Sequence, residues 1–381
     1  MPPTKTIMTG YSTLEYRDKI EKEQKEAIAK LLDVLPSFVT DYNKYKKLKT
    51  ATKTRREYIQ DIHTFCLFLL DTNPAAKNMK DISLEMLSSL KLDDFGEYEN
   101  WLADEDTGNG RNSPITIKRK KSSLRSLFDY LYASEKIDVN PVAKIEKSRT
   151  EKKNRANIRV LSDDERTLFL ARFDEEFVLA EENLAKAKKG VESSKKELSQ
   201  AIQMKPALVK RDKAIVYLFL GTGLRVSELC AINCADIVPE LKRINVIRKG
   251  DSHDGNKRSD HVLLSDEVMD ILFEYIEEFR EIIGYNADNY DALFLSSKHT
   301  RITPRAIEQM VKDVAEKTLG KDCGIHPHSL RASFGDRYQQ TYGDILKTSE
   351  VMNHSSVDVT AQNYLKSREE SKIAAQKISV V

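Results

Sequence analysis

Several features that would mark a membrane-spanning, secreted or metal-binding protein are missing from this 381-residue sequence. It has no run of about 18 apolar residues, which argues against a membrane-spanning helix. The first residues, MPPTKTIMTGYSTLEYRDKI, contain no apolar core and no signal-cleavage pattern, so we expect the protein to stay in the cytoplasm. The four cysteines lack the spacing of a metal site, and Cys230 and Cys234 fit small core residues better than ligands.

Two common devices for handling phosphate are also missing. The sequence has no G-x-x-x-x-G-K-[ST] loop, which would cradle the phosphates of a nucleotide. No cluster of acids has the pattern of a two-metal catalytic site. We therefore expect a protein that uses neither a metal ion nor another cofactor.

Charge is plentiful, and it is unevenly distributed along the chain. Lys and Arg number 62 and Asp and Glu number 60, yet residues 116–125 hold five basic residues and no acid, and residues 144–159 are again mostly basic. Such segregation suits a face that binds phosphates, although a solvated helix followed by a linker explains it equally well. The candidate DNA-binding residues are Lys118, Arg119, Lys120, Lys121, Arg125, Lys147, Arg149, Lys152, Lys153 and Arg155.

The length of the chain favours two domains, and the sequence patterns place their boundaries. Residues 1–35 predict a charged helical extension, and residues 36–145 carry helical periodicity throughout. Residues 146–159 have the composition of a basic linker, and residues 160–381 form the second domain. In the first domain we expect the helix at 116–134 to bury its leucines and to show all of its basic residues outward.

The second domain is predicted to be helical with a small sheet. Ser162 and Glu165 form a capping box, which predicts a helix start. The charged insertion at 174–210 predicts a projecting pair of helices that is broken near Gly190. The alternating stretches RINVIRKG and DHVLLS predict a β-hairpin, and DALFLSS at 291–297 predicts a third strand.

Six side chains of the second domain could together act on a phosphodiester, although each is weak evidence alone. Arginine forks clamp phosphate oxygens without a metal, a tyrosine can attack phosphorus, and histidine or lysine can move protons. His328 and Arg331 are three residues apart in HPHSLR, so on a helix begun by Pro327 they face one point, whereas we expect His326 to point elsewhere. The candidates are Arg225, Lys249, His328, Arg331, His354 and Tyr364, with Glu228 in support.

The order and spacing of these residues resemble the tyrosine recombinases of the phage integrase family. TGLRVSELCAINCADI resembles the first-arginine box and assigns Arg225 and Glu228, and VIRKG resembles the lysine motif and assigns Lys249. HPHSLRASF resembles the His-x-x-Arg box, and VMNHSSVDVTAQNYL resembles the closing segment that assigns His354 and Tyr364. The clear resemblance runs from about residue 160 to the end of the sequence.

The resemblance implies a fold, a reaction and a set of partners. The fold is mainly α with a small antiparallel β-sheet, in which a helical core-binding domain and the catalytic domain form a C-shaped clamp on DNA. The reaction is site-specific recombination through a 3′-phosphotyrosine intermediate, with no metal or ATP. The implied partners are double-stranded DNA with inverted-repeat core sites, three further copies in a tetramer that a tail at 365–381 helps to join, and an accessory directionality factor.

Four alternatives stay open at this point. Integration and excision of a mobile element is our leading interpretation, partly because residues 1–35 exceed the length of a minimal Xer-type chain. An Xer-type resolvase or a DNA invertase would share the same residues. A type IB topoisomerase uses the same chemistry, and a non-catalytic DNA-binding protein could descend from a recombinase.

Overall fold

The structure is a computed structural model that describes residues 13–104, 112–144, 158–194, 198–249, 257–286, 289 and 291–353. These residues are mainly helical with one small antiparallel sheet, which confirms the predicted fold class. They divide into two compact units, here called the N-terminal unit (residues 17–144) and the C-terminal unit (residues 158–353). No helix within the described ranges is long and apolar enough to cross a membrane.

The N-terminal unit is built from helices that share one apolar core. The helices are α1 (Thr13–Val34, in this unit from Arg17 onward), α2 (Ser37–Lys46), α3 (Thr52–Thr72), α4 (Leu84–Ser89), α5 (Leu92–Ala103) and α6 (Pro114–Ala133). On α3 the buried side chains include Ile62, Phe65, Cys66 and Leu69. The rings of Phe65 and Tyr98 lie 5.1 Å apart edge to face and join α3 to α5 in this core.

The C-terminal unit combines helices with a three-stranded sheet. Its helices are α7 (Asp163–Ser194), α8 (Gln200–Thr222), α9 (Val226–Ala231), α10 (Asp266–Glu274), α11 (Arg280–Ile283), α12 (Pro304–Leu319), α13 (Pro327–Tyr342) and α14 (Ile345–Val351), with a π-helical turn at Tyr275–Phe279. Its strands are β1 (Ile237–Val238), β2 (Arg243–Lys249) and β3 (Lys257–Leu263), in the order β1-β2-β3 with antiparallel pairing.

Local sequence signals explain where several of these elements begin. The predicted capping box at α7 is confirmed, because the Glu165 amide donates to Ser162 Oγ at 3.2 Å and the Ser162 amide donates to Glu165 Oε2 at 3.1 Å. Pro327 is the first residue of α13, as predicted. The predicted hairpin is confirmed as β2 and β3, which pair from Arg243 with Leu263 to Lys249 with Lys257.

Two expectations for the C-terminal unit are wrong. Helix α7 continues through Gly190 to Ser194, because one glycine lowers helix stability without ending the helix. Residues 291–297 form only isolated bridges, Asn233 with Ala292 and Leu295 with Arg301, and the third strand is the short β1. Leu293, Phe294 and Leu295 are buried in the core, and this burial explains the strand-like apolar pattern.

The expectation that α6 shows all its basic residues outward is wrong for Lys120. Lys118 and Arg119 are exposed, whereas Lys120 is buried, with its Nζ 3.2 Å from Thr64 Oγ1 and 3.7 Å from Asp61 Oδ1. Burial lowers the pKa of the Lys120 ammonium, and the nearby Asp61 carboxylate opposes that shift. Lys120 therefore belongs to the packing between α3 and α6.

Candidate active site

The turn between α8 and α9 holds Arg225 in place. Helix α8 ends at Gly223, whose φ of +62° lies in the left-handed region that glycine adopts at helix ends. Arg225 is the N-cap of α9, and its backbone amide donates to Glu228 Oε2 at 2.9 Å. Its Nη1 donates to Glu228 Oε1 at 2.9 Å, and Glu228 is buried while the Arg225 side chain keeps 37% of its surface. The carboxylate thus fixes both the backbone and the guanidinium of Arg225, which agrees with the supporting role predicted for Glu228.

The first turn of α13 carries the second group of predicted residues. His326 is the N-cap of the helix, and His328 and Arg331 follow on its first turn and a half. The rings of His326 and His328 are nearly parallel, with centroids 6.3 Å apart, and both residues are exposed. The expectation that His326 points elsewhere is therefore wrong, since the two imidazoles lie side by side.

The two arginines meet at the short turn that follows α14. Arg331 is buried, and its guanidinium donates through Nη1 to the carbonyl of Gly223 and through Nη2 to the carbonyl of Met352. Arg225 Nη2 donates to the carbonyl of the next residue, Asn353, at 2.5 Å. Asn353 has φ of +45°, a left-handed conformation that asparagine tolerates better than most residues. Two consecutive carbonyls are thus held by arginines from two different elements.

Positive charge from three directions acts on His328. The residue is exposed, yet the protein around its imidazole removes part of the hydration and lowers its pKa. Arg331, His326 and Arg225 lower the pKa of His328 further, because each disfavours a positive charge on the ring. This direction of the pKa shift favours the uncharged imidazole, which can accept a proton or donate one hydrogen bond.

The structure brings Arg225, Glu228, His328 and Arg331 together, while the remaining predicted residues lie elsewhere or outside its description. Lys249 is the last residue of β2, and its side chain is outside the described part. His354 and Tyr364 lie beyond Asn353, the last described residue, and the linker residues Lys147, Arg149, Lys152, Lys153 and Arg155 also lie outside the described ranges. Their predicted roles remain proposals.

Sequence reasoning missed Met352 and Asn353 as parts of the site. They contribute backbone carbonyls, and a carbonyl leaves no trace in residue type. One signal was available, because an asparagine between a helix and a histidine in VMNHSS is typical of a left-handed turn residue. That signal predicts the turn and does not predict which side chains bind it.

The arrangement is suited to binding an anion. Two guanidinium groups and one imidazole lie close together, and Arg225 is exposed enough to meet a ligand. Within the described residues no three His, Cys, Asp or Glu side chains are grouped as a metal site.

Comparisons with known proteins agree with this picture. Residues 192–371 match the model of the phage integrase family, and this range includes Arg225, His328 and Arg331. The tyrosine recombinase XerS of Streptococcus mutans serotype c is 28% identical over 353 residues, which cover 88% of this chain and 93% of that protein. The tyrosine recombinase XerC of Thermodesulfovibrio yellowstonii is 28% identical over 254 residues, covering 65% and 70% of the two chains.

Solved structures share the fold. The integrase of the Tn1549 transposon, in complex with circular intermediate DNA, matches with a TM-score of 0.55 and 18% identity over 90% of this chain and 99% of that one. The XerH site-specific recombinase bound to a palindromic difH substrate matches with a TM-score of 0.54 and 19% identity, over 86% and 79% of the two chains.

Proposed function

We propose that this chain, which belongs to the phage integrase family and is a site-specific DNA recombinase, cuts and rejoins DNA through Tyr364. The tyrosine oxygen forms a bond to phosphorus, the bond from phosphorus to the 5′ oxygen breaks, and a 3′-phosphotyrosine remains. In the second half of the reaction a 5′-hydroxyl from another strand attacks the phosphotyrosine and releases Tyr364. The energy of the phosphodiester is retained in the intermediate, so neither ATP nor a metal ion is consumed.

The observation that carries the proposal is the convergence of Arg225 and Arg331 on the turn at Met352 and Asn353. This contact joins the first-arginine box, the His-x-x-Arg box and the start of the segment that leads to His354 and Tyr364. Guanidinium groups at this point would stabilise the negative charge that develops on the phosphate oxygens. In the proposed roles, His328 or His354 binds a phosphate oxygen or accepts the tyrosine proton, and Lys249 protonates the leaving 5′ oxygen, which departs as a hydroxyl.

The experiment is a covalent-capture assay on DNA. The full chain is incubated with nicked duplexes made from the sequences that flank its own gene, so that the cut strand diffuses away and the adduct accumulates. We expect a covalent adduct in the native chain, with the linked peptide containing Tyr364, and no adduct in Tyr364→Phe. Tyr342→Phe, which changes an exposed tyrosine on α13, should retain the adduct. An adduct that persists in Tyr364→Phe would exclude this residue as the nucleophile.

For the biological subtype, we propose integration and excision of a mobile element. The structural likeness to the Tn1549 transposon integrase agrees with this role but is a likeness of fold. The match to XerS covers 93% of that protein, so the length of this chain does not separate the two subtypes, and an Xer-type resolvase is the second candidate. Recombination assays with the two sites on one plasmid or on two separate plasmids would distinguish the integrase from the resolvase. An integrase is expected to join and to release an element at the sequences that flank its gene.

The proposed partners follow from the same reasoning. Double-stranded DNA is the substrate, with inverted-repeat core sites that four copies of the chain bind as paired clamps. An accessory directionality factor and a cytoplasmic location, where the DNA is available, complete the proposal. The assembly can be tested by measuring the mass of the chain bound to paired sites. We expect a tetramer, and a monomer would contradict the proposal.

A further inference from the structure

A basic segment that belongs to none of the motifs described above lies between α2 and α3. Residues 42–56, YNKYKKLKTATKTRR, hold seven basic residues and no acid, against five basic residues in the stretch 116–125 on α6. The segment spans the end of α2, a short turn at residues 47–51 and the first turn of α3.

Aromatic packing gives this turn a fixed base. The ammonium of Lys46 lies 5.8 Å from the ring centroids of Tyr42 and Tyr45 and 6.0 Å from that of Tyr58. Tyr42 also donates from its hydroxyl to Ser126 Oγ at 2.9 Å, which ties α2, the helix that leads into the turn, to α6. The lysines that follow Lys46 therefore extend from an anchored turn.

The charge of the turn is not neutralised by neighbouring acids. Lys47, Lys49 and Lys53 are exposed, and none of them has a carboxylate partner among the described residues, although Lys49 Nζ donates to the Tyr45 hydroxyl at 3.2 Å.

On α6 the situation is the opposite. Arg119 pairs with Asp61 at 2.6 Å, Lys121 pairs with Glu99, and Lys120 is buried. Much of the charge that the sequence places on α6 is therefore already paired within the unit.

The start of α3 adds to the positive potential of the turn. Ala51 provides no capping side chain, and the first turn of this 21-residue helix contains no acid. Arg55 lies beside this first turn, with Nη2 3.5 Å from Thr52 Oγ1. It is only 5% exposed, and its Nε and Nη1 have no partner in the described part of the chain. The N-terminus of α3 and the buried Arg55 guanidinium thus add to the positive potential around the three exposed lysines.

We propose that the turn carrying Lys47, Lys49 and Lys53 binds the phosphate backbone of DNA, and that it contributes more to sequence-independent binding than the basic start of α6. An unpaired, anchored group of lysines releases counterions when it meets phosphates, whereas a lysine or arginine already held by a carboxylate gains less. The inference rests on the proposed function in one respect, that DNA is the ligand.

The test compares three variants of the full chain by fluorescence anisotropy with a labelled random-sequence duplex over a series of salt concentrations. In Lys47→Gln/Lys49→Gln/Lys53→Gln we expect weaker binding and a plot of log K against log salt that is flatter by about 2 to 3. The matched control Lys77→Gln/Lys80→Gln/Lys91→Gln removes three exposed lysines from the same unit and should leave the slope unchanged. Arg119→Gln/Lys121→Gln should flatten the slope by less than about 1.

An unchanged slope in the first variant would overturn the inference, and so would an equal loss in the matched control. A larger effect in Arg119→Gln/Lys121→Gln would overturn its second half. The covalent-capture assay separates this failure from that of the proposed function. If the native chain makes no adduct but the triple lysine variant flattens the salt dependence of DNA binding, only the recombinase mechanism is contradicted. If the native chain makes the adduct and the triple lysine variant leaves the salt dependence unchanged, only this inference is contradicted. Circular dichroism of each variant confirms that the helices are intact.

Discussion

Gly223 is the residue on which the two arginine-bearing elements depend most directly. A Cβ at this position would lie 2.5 Å from Phe334 Cδ1 and 3.0 Å from Met352 Sδ, and φ is +62°. Its carbonyl accepts a hydrogen bond from Arg331. One glycine therefore ends α8, gives room to the turn at Met352 and fixes an arginine.

Replacement of Gly223 by alanine should lower the free energy of unfolding by two separate effects. The left-handed backbone costs about 1–2 kcal/mol for a residue with a Cβ, and the crowding against Phe334 and Met352 adds about 1–3 kcal/mol. Gly343→Ala is the matched control, because Gly343 has φ of +67° at the end of α13 and nothing within 4 Å of its added Cβ. Urea unfolding followed by circular dichroism measures both losses, and equal losses would contradict the crowding argument.

The lowered pKa of His328 predicts a pH dependence with a definite sign. A histidine whose pKa falls on folding binds fewer protons in the folded state. Its contribution to stability is therefore present above about 6.5, the pKa in the unfolded chain, and is lost as the pH falls from there through the lower pKa of the folded state. His326→Gln removes one of the three side chains that lower the pKa of His328, so that pKa should rise toward its ordinary value. Titration of the imidazole signals by NMR measures this shift, with His261→Gln, an exposed histidine on β3, as control. A pKa of His328 that does not respond to His326→Gln would contradict the stated electrostatic contribution.

At the scale of elements, α6 shows why a basic helix in a sequence need not be a basic surface in the fold. Asp61 on α3 is buried and receives hydrogen bonds from Arg119 Nη1 at 2.6 Å and Ser123 Oγ at 2.7 Å, with Lys120 Nζ 3.7 Å from its other oxygen. Asp61 and its partners on α6 are about sixty residues apart in the sequence. Helical periodicity assigns each residue to a face of its own helix, but it does not show that these faces of α3 and α6 pack together.

Asp61→Asn should therefore destabilise the N-terminal unit strongly. The substitution leaves Lys120 buried without its charge partner, a loss of about 3–5 kcal/mol for a broken buried pair. Asp41→Asn serves as control, because Asp41 pairs with Lys136 at 2.6 Å on the surface and should cost less than about 1 kcal/mol. The urea midpoints of Asp61→Asn and Asp41→Asn compare the two losses of stability. Similar midpoints would mean that water reaches the cluster around Asp61.

A structural feature could be predicted from the sequence when neighbouring residues determine it, and could not when distant contacts do. The start of α7, the start of α13 and the β2–β3 hairpin were predicted, because caps, Pro327 and alternation are properties of a few neighbouring residues. The extent of α7 past Gly190 was not predicted, because one exposed glycine lowers helix stability without ending the helix. The absence of a strand at 291–297 was not predicted either, because tertiary packing outweighs local propensity there. In the site, the spacing of His328 and Arg331 predicted their common helix, whereas the burial of Arg331 against carbonyls depends on contacts from about a hundred residues away.

At the scale of the whole molecule, each unit has an apolar core made from its own residues. The core of the N-terminal unit runs from Ile28 to Val142, and that of the C-terminal unit runs from Leu161 to Leu330. A core that is complete within one unit should allow that unit to fold alone.

A fragment of residues 17–144 should therefore unfold cooperatively by itself. We expect a helical circular dichroism spectrum and a single urea transition, because Phe65, Tyr98 and Phe128 are buried against partners inside the fragment. Phe65→Ala in the fragment should lower the midpoint by the equivalent of about 3–5 kcal/mol, whereas Leu48→Ala, at a position that is 90% exposed, should not. A broad transition without a midpoint would show that the fragment needs the rest of the chain.

The hydrogen bonds from Arg225 and Arg331 to two consecutive carbonyls have a consequence for mutagenesis. Alanine at either position removes a positive charge and also releases the turn at Met352 and Asn353. Under the proposed function we therefore expect a loss of cleavage greater than the loss of a phosphate contact alone would cause. Lysine at position 225 would restore the charge. Its single ammonium cannot reproduce the two-pronged geometry that lets Arg225 hold Glu228 through Nη1 and the Asn353 carbonyl through Nη2. An active Arg225→Lys chain would mean that charge is what the reaction requires, and an inactive one that holds DNA normally would mean that the backbone grip is required as well.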